Sequence, residues 1–259
     1  MTPEPLAVDP LAQIGGHSHV TEWPTVGPST GFPALAQSVL HCPPGSRTSR
    51  KTGALEEVLF VLGGEGTLQL AGEHHRLEAE SGAYLAPGEE YVLESTGEDP
   101  MRIVRVGIPD PETTAPGDDR AVVRRLSEQE ALQATTRREF RIVADPAVGL
   151  RSATHFVGYV PTESAPEHFH TYDEVIHIID GEGELHAGDL HQRVRPGSSI
   201  QLPARTVHSL ANTGPDVMRL VAVFRPAGSP AAAYYPDGTP AYPGTPPIKD
   251  PHRRRDIHE

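Results

Sequence analysis

The sequence predicts an all-β chain of two similar domains in tandem, each a closed or sandwich-like architecture, and three observations carry that expectation. Glycine and proline are abundant, 25 and 27 in 259 residues, about a fifth of the chain against roughly 12% in average usage. Such dense punctuation suits short strands joined by turns and argues against a helical bundle. The run Glu57-Val58-Leu59-Phe60-Val61-Leu62-Gly63-Gly64-Glu65-Gly66-Thr67-Leu68 recurs as Glu174-Val175-Ile176-His177-Ile178-Ile179-Asp180-Gly181-Glu182-Gly183-Glu184-Leu185, an internal repeat offset by nearly half the chain. Both copies also have strand character. An Ala-Gly turn follows each (Ala71-Gly72, Ala187-Gly188), and a later glycine opens a short strand closed by Pro87 or Pro203.

Taken in chain order, residues 1–36 show little periodicity and read as an N-terminal arm laid over a barrel. The first β domain is expected over 37–115. A linker spans 116–145, entered through a Pro- and Asp-rich stretch; within it Ser127-Glu128-Gln129-Glu130 has the form of a capping box and predicts a short connecting helix through Arg138. The second β domain is expected over 146–226. In its repeat, strand alternation places Glu174, Ile176 and Ile178 on one face and Val175, His177 and Ile179 on the other. A carboxylate on an aliphatic face points to an apolar interior holding one polar site. Residues 227–259 form an extended tail whose tyrosines (Tyr234, Tyr235, Tyr242) are expected to pack on the body.

Lys and Arg number 22 against 35 Asp and Glu, a formal charge of −13. Such a surface repels phosphate backbones and anionic lipid, so neither nucleic acid nor a membrane is expected as a partner. The single cysteine, Cys42, excludes an internal disulfide and a Cys-based zinc cluster. With no signal-like start and no apolar run near the ~20 residues that span a bilayer, the chain reads as cytoplasmic. Fourteen histidines remain to be placed.

Their pattern is most telling in the second repeat. His168 and His170 are two apart in an extended segment and point to one side; Glu174 follows on the next strand, and His208 comes from a separate hairpin after Pro203. Three neutral imidazoles and a carboxylate suit one divalent first-row ion (Fe, Mn, Ni, Zn or Cu, with Fe first) and leave positions open for substrate. Each ring then needs its other N–H held by an acceptor.

These residues carry a family resemblance. His168-x-His170-x3-Glu174-x6-Gly181 resembles the first cupin motif, and Gly197-x5-Pro203-x4-His208-x3-Asn212 the second, with Arg205 where a glycine is common. The resemblance implies a bicupin of two tandem jelly-roll (double-stranded β-helix) barrels, with His168, His170, Glu174 and His208 as metal ligands. In the first repeat Glu57 keeps the register, but sequence spacing puts Lys51 and Gly53 opposite the histidine pair and Tyr91 or Val92 opposite His208. No metal is expected there.

Four further residues are pocket candidates. His155 and Tyr159 line the cavity if their face of the strand points inward, whereas the other phase buries Phe156. Tyr172 lies between the ligands at the barrel mouth, and Gln201 leads into the Pro203 turn. The expected function is a metal-dependent enzyme on a small organic substrate, of dioxygenase or other oxidative type. Alternatives are a non-redox Lewis-acid cupin enzyme (isomerase, aminohydrolase or decarboxylase) and a non-enzymatic small-molecule binding barrel. A homodimer through edge strands is a further expectation.

Overall fold

The computed structural model describes residues 6–8, 19–111, 120–134, 137–162 and 166–248. Most of the expected arm before residue 19, the linker stretch 112–119 and the tail end 249–259 lie outside the described residues. The first strands are β1 Leu6–Val8, β2 Thr21–Val26, β3 Ala36–Cys42, β4 Arg47–Lys51, β5 Glu56–Gly63, β6 Gly66–Leu70 and β7 Glu73–Leu77. There follow β8 Ser81–Leu85, β9 Glu90–Ser95, β10 Met101–Ile108, β11 Val123–Arg125, β12 Leu132–Gln133 and β13 Glu139–Ala144. The remainder are β14 Thr154–Val160, β15 Asp173–Asp180, β16 Gly183–Ala187, β17 Leu190–Val194, β18 Ser199–Leu202, β19 His208–Asn212 and β20 Met218–Arg225. Among the described residues no helix is long and apolar enough to cross a membrane.

In the first half, β11-β8-β5-β10-β3-β2 form one sheet and β4-β9-β6-β7 the other; in the second, β1-β18-β15-β20-β14-β13-β12 pack over β17-β16-β19. Each half is a jelly-roll barrel, as the repeat predicts. The chain ties the halves together at the N-terminal side: β1 pairs antiparallel with β18, Leu6 opposite Gln201, and closes an edge of the second barrel.

Alternation sorts the hydrophobic residues into three cores. Leu59, Val61, Leu68 and Leu93 fill the first barrel, and Ile176, Ile178, Leu185 and Leu220 the second. The opposite faces of the two large sheets meet back to back, with Val58, Phe60 and Val104 against Val157, Val175 and Val221. This explains why β5 and β15 read as continuous apolar runs: both their faces are covered. Each such side chain contributes roughly 1.5–3 kcal/mol relative to exposure.

Gly82 of β8 permits the close approach of the two sheets. A Cβ there would stand 2.0 Å from Cγ1 of Val143 in β13. Gly82→Val is therefore expected to wedge the barrels apart and lower stability by about 1–3 kcal/mol. A urea titration reads this as a reduced midpoint; an unchanged midpoint would show that the sheets part freely at this point. A second glycine, Gly181 after Asp180, has φ +84°, and a Cβ would come within 2.7 Å of Met218 Cα, so the tight turn of the repeat needs it.

The connecting helix is not formed. Leu126–Glu128 makes one 3-10 turn with Arg125 at the N-cap position but no side-chain capping bond, and with Ser127 inside it, and the chain is extended again at β12, where Leu132 pairs with Phe140. Leu126 is the turn's buried residue, while Ala131 and Leu132 are exposed, so a helix would have no apolar face to cover. Gln129, not Glu130, reaches back, donating Nε2 to the Arg125 carbonyl at 2.8 Å.

Candidate metal centre

The ligand segment is held by main-chain bonds on both sides. His168 N donates to His208 O at 3.0 Å and His208 N to His168 O at 2.8 Å, and Arg205 N donates to His170 O at 2.7 Å. Arg205 has φ +66°, so the position where the resemblance expects glycine keeps the left-handed conformation while carrying an arginine. Between the histidines, Phe169 pairs with Tyr234 of the tail, and the two rings stack 5.5 Å apart.

The three rings converge. Each offers a nitrogen within 4.8 Å of the other two, with centroids 5.0 Å apart for His168–His170 and 4.5 Å for His168–His208. The Nδ1 atoms are all pinned by main-chain carbonyls: His168 by Pro166 at 3.0 Å, His170 by Ala232 at 2.8 Å and His208 by Thr206 at 2.9 Å. A carbonyl only accepts, so each Nδ1 carries the proton and each Nε2 keeps its lone pair. Burial pushes His168 down to about 4, His170 to about 3 and His208 well below its usual value, which keeps all three neutral at pH 7. Three lone pairs facing one point without a donor among them, two on buried rings and the His170 one on a half-buried ring, fit a divalent cation.

Glu174 lies on β15 beside this group and lines the same cavity, but stands outside the set of three. Burial pushes its carboxyl up to about 8, with Arg138 acting in the opposite direction. The cavity measures about 80 Å³, walled by Phe140, Phe156, Ile176 and Leu220 and bordered on the tail side by Pro230 and Ala233. Tyr172 lines it: its buried ring stacks on His170 at 4.6 Å and on Phe224 at 3.8 Å.

Two pocket candidates go elsewhere. The strand phase is the one that turns Phe156 inward, so His155 is buried between the barrels, its ring edge-on to Phe60 at 6.1 Å. Gln201 alternates with the inward Leu202 and accepts from Thr30 Oγ1 at 2.6 Å. Tyr159 borders the cavity through its place on β14, while its ring packs with the interbarrel cluster.

His155 carries a pH signature of its own. Burial pushes it down to about 3 from 6.5, and its Nδ1 has no hydrogen-bond partner among the described residues. Between those values the unfolded chain binds the extra proton, so this contribution to stability is complete above pH 6.5 and is lost as pH falls, at up to about 1.4 kcal/mol per pH unit. His155→Leu is expected to flatten the acid side of the stability–pH curve measured by denaturant titration. An identical slope in both proteins would overturn this.

The first barrel replaces the centre with an ion-pair network. Arg50 pairs opposite Tyr91 on β4 and β9, as His168 pairs opposite His208, so the structural counterparts of the histidine pair are Arg50 and Thr52, one residue before those given by sequence spacing. One extra residue in the following loop makes the difference. Lys51 instead points outward to Glu90. Glu57, the counterpart of Glu174, accepts from Tyr91 Oη at 2.9 Å and is forked by Arg105 through Nε at 2.9 Å and through Nη2.

Sequence reasoning missed Arg138 and the Ala232 carbonyl. Arg138 shares the alternation of the inward Phe140 and Ile142, a signal obscured by the expected helix; the carbonyl, like any main-chain group, leaves no trace in residue type.

Two β-barrels packed back to back, one holding a cluster of three imidazoles that could hold a metal ion and the other an ion-pair network in its place, define a tandem-barrel protein with one candidate metal centre among the described residues. The chain belongs to the cupin family: the family model for a cupin domain matches residues 38–107 and again 155–224, once per barrel. Solved structures of similar fold include a protein described as glyoxylate-induced from Pseudomonas aeruginosa, at 17% identity over 86% of this chain and 90% of that one, with TM-score 0.73. Ylba from E. coli matches at 12% identity over 87% and 92%, TM-score 0.70. A point mutant of Bacillus subtilis oxalate decarboxylase OxdC matches at 12% over 86% and 77%, TM-score 0.69. At these identities the likeness is one of fold. No curated protein matches this chain.

Proposed function

We propose that this bicupin is a metal-dependent enzyme that binds one divalent first-row ion at His168, His170 and His208, with Glu174 completing the set, and acts on a small organic substrate in the adjoining cavity. The observation that carries this is the pinning of all three Nδ1–H groups by carbonyls, which orients three free Nε2 atoms before any ion arrives. A bound ion would supply Lewis acidity and, if iron, the electrons for oxidative chemistry with O₂. The chain's own contribution is orientation and exclusion of water. Tyr172 braces the His170 ring by stacking and is itself backed by Phe224, and the aliphatic and aromatic walls keep the dielectric low around the centre.

The oxidative reading rests on that ligand set and those apolar walls. Elemental analysis of protein purified without added metal, followed by oxygen-electrode assays of the iron-reconstituted protein against small bidentate oxygen ligands, tests it. Stoichiometric iron and substrate-dependent O₂ uptake are expected. Manganese or zinc as the resident ion, with no O₂ uptake after iron loading, would replace it with non-redox Lewis-acid chemistry.

A further inference from the structure

We propose that Arg138 is an anion-binding subsite of the cavity, so that the ligand taken up is a small carboxylate held between this guanidinium and the three-histidine centre; this rests on the metal-dependent reading above. Arg138 lies just before β13, on the same face as Phe140, and lines the cavity. Its side chain donates Nη2 to the Leu210 carbonyl at 2.5 Å. That carbonyl is neutral and takes one of five N–H donors. Among the described residues Arg138 forms no ion pair, and Glu174 acts on it only at longer range.

Charge counting gives the ligand its sign. A divalent ion held by the imidazoles would engage the Glu174 carboxylate and so leave the guanidinium uncompensated beside Phe140, Phe156 and Leu220. A buried charge in such walls is costly unless a counter-ion meets it. A carboxylate offers the planar pair of oxygens that a guanidinium fork accepts. The size follows from the cavity: about 80 Å³ has room for roughly two to three waters at about 30 Å³ each, hence a compact ligand of a few heavy atoms. The competing role for Arg138 is structural, tying the connector to β19 through Leu210.

The full chain loaded with Co(II) separates the two. Glycolate, a small hydroxy-carboxylate, and glycolamide, its uncharged counterpart, are titrated while the Co(II) visible spectrum and the heat of binding are followed. Glycolate is expected to bind wild type and to weaken about tenfold or more in Arg138→Gln, with the Co(II) content unchanged; glycolamide is expected to bind both proteins equally. Equal glycolate affinity in wild type and variant, or no glycolate binding to cobalt-loaded wild type, overturns the subsite. If Arg138→Gln does not hold cobalt or fold, Arg138→Lys decides on the same axis: weaker glycolate binding supports the fork, and unchanged binding overturns it. Failure of wild type to bind Co(II) at all would instead defeat the metal-centre reading beneath.

Discussion

His208→Ala is expected to empty the metal centre while leaving the fold intact. The three imidazoles act together, and removing a ligand should lower affinity more than the about 10- to 100-fold typical of removing a ligand's hydrogen-bond partner. Metal-to-protein ratio after dialysis, measured by elemental analysis, should fall from near one toward zero. Folding should survive, because the ring's side-chain anchor in the protein is one bond from Nδ1 to Thr206 O and the main-chain bonds of His208 to His168 remain. The far-ultraviolet circular dichroism spectrum checks this. Full occupancy in the variant would show that the three Nε2 atoms are not the site.

The largest loss of stability is expected in the other barrel. Glu57 is 1% exposed, and its oxygens satisfy Arg105 and Tyr91. Glu57→Leu leaves the largely buried Arg105 guanidinium with only its longer contact to Glu22 at 3.4 Å, and removing one partner of a buried pair typically costs about 3–5 kcal/mol. Denaturant titration should show the drop. Adding Arg105→Met should restore much of it, since the uncompensated charge goes with the arginine. Metal occupancy should not change, because every proposed ligand lies in the second barrel. A loss below about 1 kcal/mol for Glu57→Leu would mean that the network is solvated rather than structural.

Much of the site was legible because its signals are local. His168 and His170 share a face by spacing alone. The errors arose where a local signal had to be read against a distant partner. The phase of β14 depends on which sheet face meets the other barrel, and only the packing of Val157 against the first barrel sends His155 there. The Ser127–Glu130 pattern has the right letters for a helix start, but no core stands beside it to reward a helix. Register in the first barrel slipped by one residue because a loop insertion is invisible until the strands are paired.

By itself, the sequence determined that the chain repeats, that the repeats are β, and that one of them carries three imidazoles and a carboxylate at metal-binding spacing. These follow from periodicity and residue type, which act over a few residues. Only the tertiary structure decided that the tail borders the cavity, that Arg138 lines it, and that an arginine fork holds Glu57. Each of those is a meeting of segments far apart in the chain, brought about by burial of the two sheet faces, and no short stretch of sequence encodes it.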